Sequence, residues 1–260
     1  MVAKTFKEVE TYMRILLLDI ETSPNTAHVW GLYKQTISIS QLQESSYVMC
    51  WAAKWLDESE VYFSSVVQES HKKMLKGVHK LLEEADAVIH YNGTKFDIPT
   101  LNKEFLKHGM FPPSSYKQID LLRTARQQFR FPSNKLDYVA YSLGLGKKHK
   151  HEGHELWVKC MAKDTEAWKV MEIYNKQDVL LLEKVYYKLL PWIKNHPNRN
   201  LYSGVEEDVC TTCGSPEIKK RGFVYSSTSA YQRYRCSACG TWMRSRNATK
   251  AVSTKLVSLT

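Results

Sequence analysis

The chain has 260 residues, 43% hydrophobic and 25% charged, with a formal net charge of +10. That is enough apolar chain for one sizeable core and a smaller unit, which excludes a fibrous or wholly disordered protein. No stretch approaches the ~20 uncharged apolar residues of a membrane span, and residues 1–8 lack a signal peptide's apolar core, so a cytoplasmic protein without membrane association is expected. The positive charge is concentrated at the C-terminal end. Residues 209–260 carry nine Lys or Arg against the single acid Glu217, while residues 1–208 carry 28 against 26. Such a basic block points to a polyanion partner, most simply nucleic acid.

Residues 14–22, which run Arg-Ile-Leu-Leu-Leu-Asp-Ile-Glu-Thr, read as a buried strand. Side chains alternate along a strand, so Asp19 and Glu21 share one face and Leu18 and Ile20 the other. Ligands of open α/β sheets sit at the carboxyl ends of such strands. Two carboxylates there raise each other's pKa unless a cation neutralises them, which suits a divalent metal; alone, the pattern equally fits a loop cap beside a solvated acid.

Residues 23–46 read as a loop or covering arm in which Trp30 and Tyr33 pack down. Residues 47–56 and 61–67 are β-prone and form a predicted antiparallel hairpin. Met74, Leu75, Val78, Leu81 and Leu82 recur at helical spacing, and residues 87–91 are a short buried strand broken by Asn92-Gly93. A helix follows from near Pro99, with Asp97 a natural N-cap that also lies where a third metal ligand could approach the first pair. Residues 118–122 suit another strand, with Asp120 mainly a cap. A helix starting at Ser133 carries Leu136, Val139, Ala140 and Leu143.

Residues 147–154 form a basic loop that either meets phosphates or is simply solvated. Its fragment His151-Glu152-Gly153-His154 is not a metalloprotease motif, because the histidines stand at i and i+3 rather than i and i+4 and Gly interrupts. The longest helical pattern covers residues 165–190. In it Tyr174 and Asp178, at i and i+4, share a face. Cys50 and Cys160 read as core residues.

With these acidic segments in order, residues 14–190 resemble a DEDDy-type 3'-5' exonuclease of the DnaQ-like, ribonuclease H-like superfamily. Asp19-Ile20-Glu21 resembles the first motif, residues 91–97 ending in Asp97 the second, and Tyr174-x-x-x-Asp178 the third. Ile173 stands where the DEDDh subclass has His. The closest resemblance is to exonuclease domains related to that of family B DNA polymerases, a type also met in phage genomes, for which the location would be the host cytoplasm.

The resemblance implies an α/β fold with a mixed five-stranded sheet flanked by helices. It implies that Asp19, Glu21, Asp97 and Asp178 hold two Mg²⁺ or Mn²⁺ ions about 4 Å apart, with Tyr174 orienting the attacking water and Thr22, Asn92 and Phe96 touching substrate. The expected reaction is hydrolysis from a 3' end, with single-stranded DNA the first substrate. A 3'-5' exoribonuclease with the same site is the alternative, and a catalytically silent nucleic-acid-binding factor is the rival from another class.

A domain of residues 1–194 is expected, then a linker over 195–207, a small module over 208–247 and a disordered tail over 248–260. Cys210-x-x-Cys213 and Cys236-x-x-Cys239 read as a four-cysteine zinc ribbon with one structural Zn²⁺, needed for folding because so few apolar residues are present. Lys219, Lys220, Arg221, Arg233, Arg235, Arg244 and Arg246 interleave with Phe223, Tyr225, Tyr231, Tyr234 and Trp242, as phosphate contacts and stacking platforms would. The alternative is a ribbon that docks a replication or repair protein.

Overall fold

The computed structural model describes residues 12–149, 152–202 and 207–251. Lys150 and His151 of the basic loop, and residues 252–260 of the expected tail, lie outside the described residues. The first apolar run forms β1 (Ile15–Thr22). In the arm that follows, β2 (Thr26–Ala27) pairs with β3 (Leu42–Glu44). Trp30 and Tyr33 do not pack this arm down: they are 98% and 86% exposed. Polar contacts hold the arm instead, with Gln41 Nε2 donating to the His28 carbonyl at 3.0 Å and Ser46 N to Asn25 Oδ1 at 2.7 Å.

The predicted hairpin is β4 (Val48–Trp55) and β5 (Tyr62–Ser65), paired antiparallel. Then come α1 (His71–Glu84), β6 (Ala87–His90), α2 (Asp97–Lys107), β7 (Lys117–Asp120), α3 (Leu121–Gln128), α4 (Leu136–Ser142), α5 (His154–Met161) and α6 (Thr165–Leu189). Helices α3 and α5 carry no clear sequence signal. Each is only eight residues long, too short to repeat its apolar positions convincingly.

The main sheet has the order β5-β4-β1-β6-β7, so β1 is its centre. It is mixed, because β1 runs antiparallel to β4 and parallel to β6. Strand alternation sorts β1 as expected. Leu16, Leu18 and Ile20 join Trp51, Trp55, Met74, Leu75, Val78, Leu101 and Phe105 in one core layer beneath α1 and α2. A second cluster joins Met49 and Cys50 to Leu156, Cys160, Trp168, Met171 and Tyr174 of α5 and α6. Cys50 and Cys160 are therefore core residues, at 0% and 2% exposure.

Cα packing separates the residues Arg14–Tyr186 from a second unit that contains the described residues from Tyr187 onward. Its strands β8 (Ile218–Tyr225), β9 (Ser229–Cys236), β10 (Trp242–Arg244) and β11 (Lys250–Ala251) form one sheet around β9. Lys250 and Ala251, expected in a disordered tail, instead pair with Ala230 and Ser229. In the expected linker, Arg199–Leu201 makes a 3-10 turn tied by Arg199 N to the Thr211 carbonyl at 2.8 Å. Among the described residues no helix is long and apolar enough to cross a membrane.

Lys54 of β4 is a buried cation, 4% exposed, whose Nζ meets Glu183 Oε1 of α6 at 2.5 Å. Removing one partner of such a pair strands the other charge, whereas replacing both with apolar groups is close to neutral. Lys54→Met should lower stability by about 3 kcal/mol in urea denaturation, and Lys54→Met with Glu183→Leu should recover most of the loss.

Candidate active site

Asp19 and Glu21 leave β1 on the face turned toward α6, opposite Ala52 and Cys50 of β4. Asp178 of α6 joins them: one carboxylate oxygen from each of Asp19, Glu21 and Asp178 lies within 4.8 Å of the other two. Tyr174, one helical turn before Asp178, is 7% exposed and packs its ring edge-on against Trp157 of α5, centroids 6.0 Å apart.

The fourth acid comes from a tight loop after β6. Asn92 takes a left-handed φ of 73°, and its carbonyl accepts from Lys95 N and Phe96 N. Gly93 has no room for a side chain, because a Cβ there would lie 2.3 Å from Cγ of the buried His90. Its N–H donates to His90 Nδ1 at 3.1 Å. Asp120 is a helix cap, as expected, accepting from Leu122 N at 3.0 Å and Arg123 N at 3.3 Å, and it also accepts from Asn92 N at 3.0 Å.

Asp97 is not the N-cap expected of it. The loop makes Phe96 the cap position, so Asp97 is the first residue of α2 and turns inward, 4% exposed, to accept from Ile20 N at 3.3 Å. It stands outside the close trio, yet its charge raises the pKa of both Asp19 and Glu21.

The electrostatics are those of crowded, buried like charges. Burial, then Asp178, Glu21 and Asp97, push Asp19 well above the usual carboxylate range. Burial, followed by Asp178 and Asp97, takes Glu21 to about 8, although Lys148 acts to lower it. Burial takes Asp97 to about 7. Tyr174 is pushed up from its ordinary value by burial and by Asp178 and Glu21, so it keeps its proton at neutral pH.

The sequence reading missed three residues that serve this site. Lys148 pairs with Asp178 and donates to the Tyr174 hydroxyl at 3.1 Å. Burial opposes its charge, but Asp178, Tyr174 and Asp19 outweigh that and hold it protonated. Asn175 is fully buried and donates from Nδ2 to Asp19 Oδ2 at 2.7 Å. Trp157 hydrogen-bonds Glu21. The basic character of the loop containing Lys148 suggests a phosphate contact; its reach to Asp178 is a contact thirty residues apart that no local pattern encodes.

A cleft of about 540 Å³ opens beside Asp19, lined by Tyr91, Arg126, Lys135, Asp137 and Lys148 among others. Its cations suit a phosphodiester chain. A larger hollow along α5 and α6, lined by His149, Glu152, Leu156 and Lys159 among others, touches none of the four acids. Of the expected substrate contacts, Phe96 is 44% exposed beside Asp97, Thr22 ends β1, and Asn92 has a backbone role in the loop.

In the second unit, Cys210 and Cys239 Sγ atoms are 3.6 Å apart and those of Cys213 and Cys236 3.7 Å apart. Four sulfurs ~2.3 Å from one tetrahedral ion would be ~3.8 Å apart, so the cluster could hold Zn²⁺. Gly214 and Gly240 take φ of 77° and 81° at the knuckle turns.

The sheet register divides the basic residues between two faces. Lys219 lies opposite Arg235, which lies opposite Trp242; Arg233 lies opposite Arg244. On this face the Arg233 guanidinium stands 4.8 Å from the Trp242 ring centroid and that of Arg244 4.0 Å from Tyr231. Arg221 is tied to it through its carbonyl, which accepts from Arg233 Nε. Lys220 and Tyr234, expected to bind with the others, pair together with Met243 on the opposite face.

The trio fits a divalent cation, since three carboxylates that repel one another in a buried place are relieved by one. Protons compete for the same oxygens. Below pH 7 Glu21 and Asp97 are largely protonated; above pH 8 they are ionised, so Mn²⁺ affinity should rise across pH 6–8.5 with proton release on binding. Lys148→Met removes a charge that lowers the pKa of Asp19 and Glu21, so it should move that rise to higher pH. Calorimetry in buffers of different ionisation enthalpy reads both.

Residues 16–190 match the RNase_H superfamily, a span that includes all but the first residue of β1, the Asp97 loop and the whole helix bearing Asp178. No curated protein matches. Among 174 matching chains of solved structures is the family B DNA polymerase from the hyperthermophilic archaeon Pyrobaculum calidifontis, 19% identical with a TM-score of 0.53. The match covers 69% of this chain and 25% of the polymerase chain, and at that identity it speaks for the fold alone. A family match over two thirds of the chain, borne on a mixed five-stranded sheet with its acids at the centre, makes this protein a member of the RNase H superfamily.

Proposed function

We propose that the chain is a metal-dependent 3'-5' exonuclease of the DEDDy type. The observation that carries this reading is the convergence of Asp19, Glu21 and Asp178 within 4.8 Å, with Tyr174 one turn from Asp178 on the same helix. Asp19, Glu21, Asp97 and Asp178 would hold two Mg²⁺ or Mn²⁺ ions. When bound, these supply Lewis acidity to the attacking water and to the departing 3' oxygen. Asn175 fixes the Asp19 carboxylate, and Trp157 that of Glu21. Tyr174, kept protonated, positions by hydrogen bonding and is no general base. Lys148 offsets the carboxylate charge and lies where a scissile phosphate would approach.

We assign catalysis to residues 1–194 and substrate retention to a ribbon of residues 208–247 joined by residues 195–207. Zn²⁺ on the four cysteines would brace the ribbon, and its face bearing Lys219, Arg233, Arg235, Trp242 and Arg244 would bind nucleic acid. The basic ribbon face with its half-exposed Trp242 suits single-stranded nucleic acid, and we take DNA as the first substrate and RNA as the alternative.

Digestion of 3'- and 5'-labelled single-stranded DNA and RNA with Mn²⁺ tests the reading. A ladder shortening from the 3' end is expected, reduced to background in Asp178→Asn and retained in part in Tyr174→Phe. Asn175→Ala, which frees the Asp19 carboxylate, should weaken metal affinity by about 10–100-fold. In equilibrium binding, Trp242→Ala should lose about 1–3 kcal/mol and Arg235→Ala should lower the salt slope by about one, whereas Lys220→Ala should change little. Intact DNA and RNA with full metal loading would overturn the exonuclease reading.

A further inference from the structure

A second cluster of metal-ligating side chains lies in the catalytic unit away from the acids. His71 is the first residue of α1, and Glu104 and His108 stand one helical turn apart at the end of α2. One ligand atom from each lies within 4.8 Å of the other two. The His71 and His108 rings meet edge to face with centroids 5.0 Å apart. Tyr47 closes against His71 at 5.6 Å, also edge to face.

The three polar groups converge without bonding one another. Glu104 is 2% exposed, and the buried His71 Nε2 lacks a hydrogen-bond partner. Lys103 Nζ forms an ion pair with Glu104 Oε1 at 2.9 Å and also donates to the Ser46 carbonyl at 2.6 Å. A buried ring nitrogen left without a partner costs free energy that a bound cation would remove, and the adjoining buried carboxylate supplies a second ligand atom of opposite charge.

We propose that His71, Glu104 and His108 form a divalent transition-metal site, with Zn²⁺ the best match, that clamps the start of α1 to the end of α2. Two imidazoles and one carboxylate are a recognised zinc donor set, and imidazole disfavours Mg²⁺ and Ca²⁺. Ligands ~2.1 Å from a tetrahedral ion lie about 3.4 Å apart, so rotation of the side chains has to close a gap of at most about 1.4 Å. Three protein ligands leave a fourth position for water. The site is separate from the catalytic one, since Glu104 follows Asp97 by seven residues, about 10 Å along α2. The clamp would fix the far end of the helix whose first residue is Asp97.

The test is zinc content per chain after loading the full-length protein with Zn²⁺ and removing the excess, compared among wild type, His108→Ala and Glu104→Gln. Each variant keeps the four cysteines and the four catalytic acids, so the difference isolates this site and does not depend on the exonuclease reading. The expected result is one zinc fewer per chain in both variants, with a Zn²⁺-dependent rise in Tm that is smaller in His108→Ala than in wild type, the four cysteines supplying what remains. Should Glu104→Gln fail to fold, His108→Ala, whose side chain lies nearer the surface, still gives the comparison. Equal zinc content and equal Tm response in wild type and His108→Ala would overturn the proposal.

Discussion

Carboxylates crowded into a buried place repel one another, and the rest of the catalytic unit is arranged around that cost. Asp19 lies under the charge of the three others, Asp178, Glu21 and Asp97. Without cations such a cluster either takes up protons or separates. The protein brings in Lys148 as a cation against Asp178 and places Asn175 and Trp157 as donors to Asp19 and Glu21. What charge remains unbalanced is what divalent ions would neutralise, so the same repulsion that burdens the fold prepares the site for metal.

The architecture follows from the need to present these acids together. Putting β1 at the centre of the sheet lets one face of that strand pack Leu16, Leu18 and Ile20 against α1 and α2 while the other turns Asp19 and Glu21 toward α6. The parallel neighbour β6 then ends beside β1 and delivers Asp97 through a loop that a left-handed Asn92 and a side-chain-free Gly93 make tight. In the second unit, sheet alternation gathers arginines and Trp242 on one face, the charge and the stacking surface together.

Features set by local periodicity are legible in the sequence. The parity of Asp19 and Glu21, the hairpin of β4 and β5, the long α6 with Tyr174 and Asp178 on one face, and the four paired cysteines all depend on spacings of two to four residues. What is not legible depends on contacts between distant segments. Asp97 reads as a cap because its neighbours favour one, but the Asn92 turn shifts the cap to Phe96 and frees Asp97 to point inward. Lys148, Asn175 and Trp157 carry no motif of their own, and their roles exist only once α5, α6 and the basic loop meet β1. Alternation along β8 and β9 already sets Lys220 and Tyr234 apart from Lys219 and Arg235; the charge count alone hides it.

The most direct test of the paired-metal account is electron paramagnetic resonance of Mn²⁺ titrated into the protein at pH 8. The account predicts a spin-coupled pair of Mn²⁺ ions in wild type that is lost in Asp19→Asn. Only isolated, uncoupled Mn²⁺ signals in wild type, unchanged by Asp19→Asn, would contradict it.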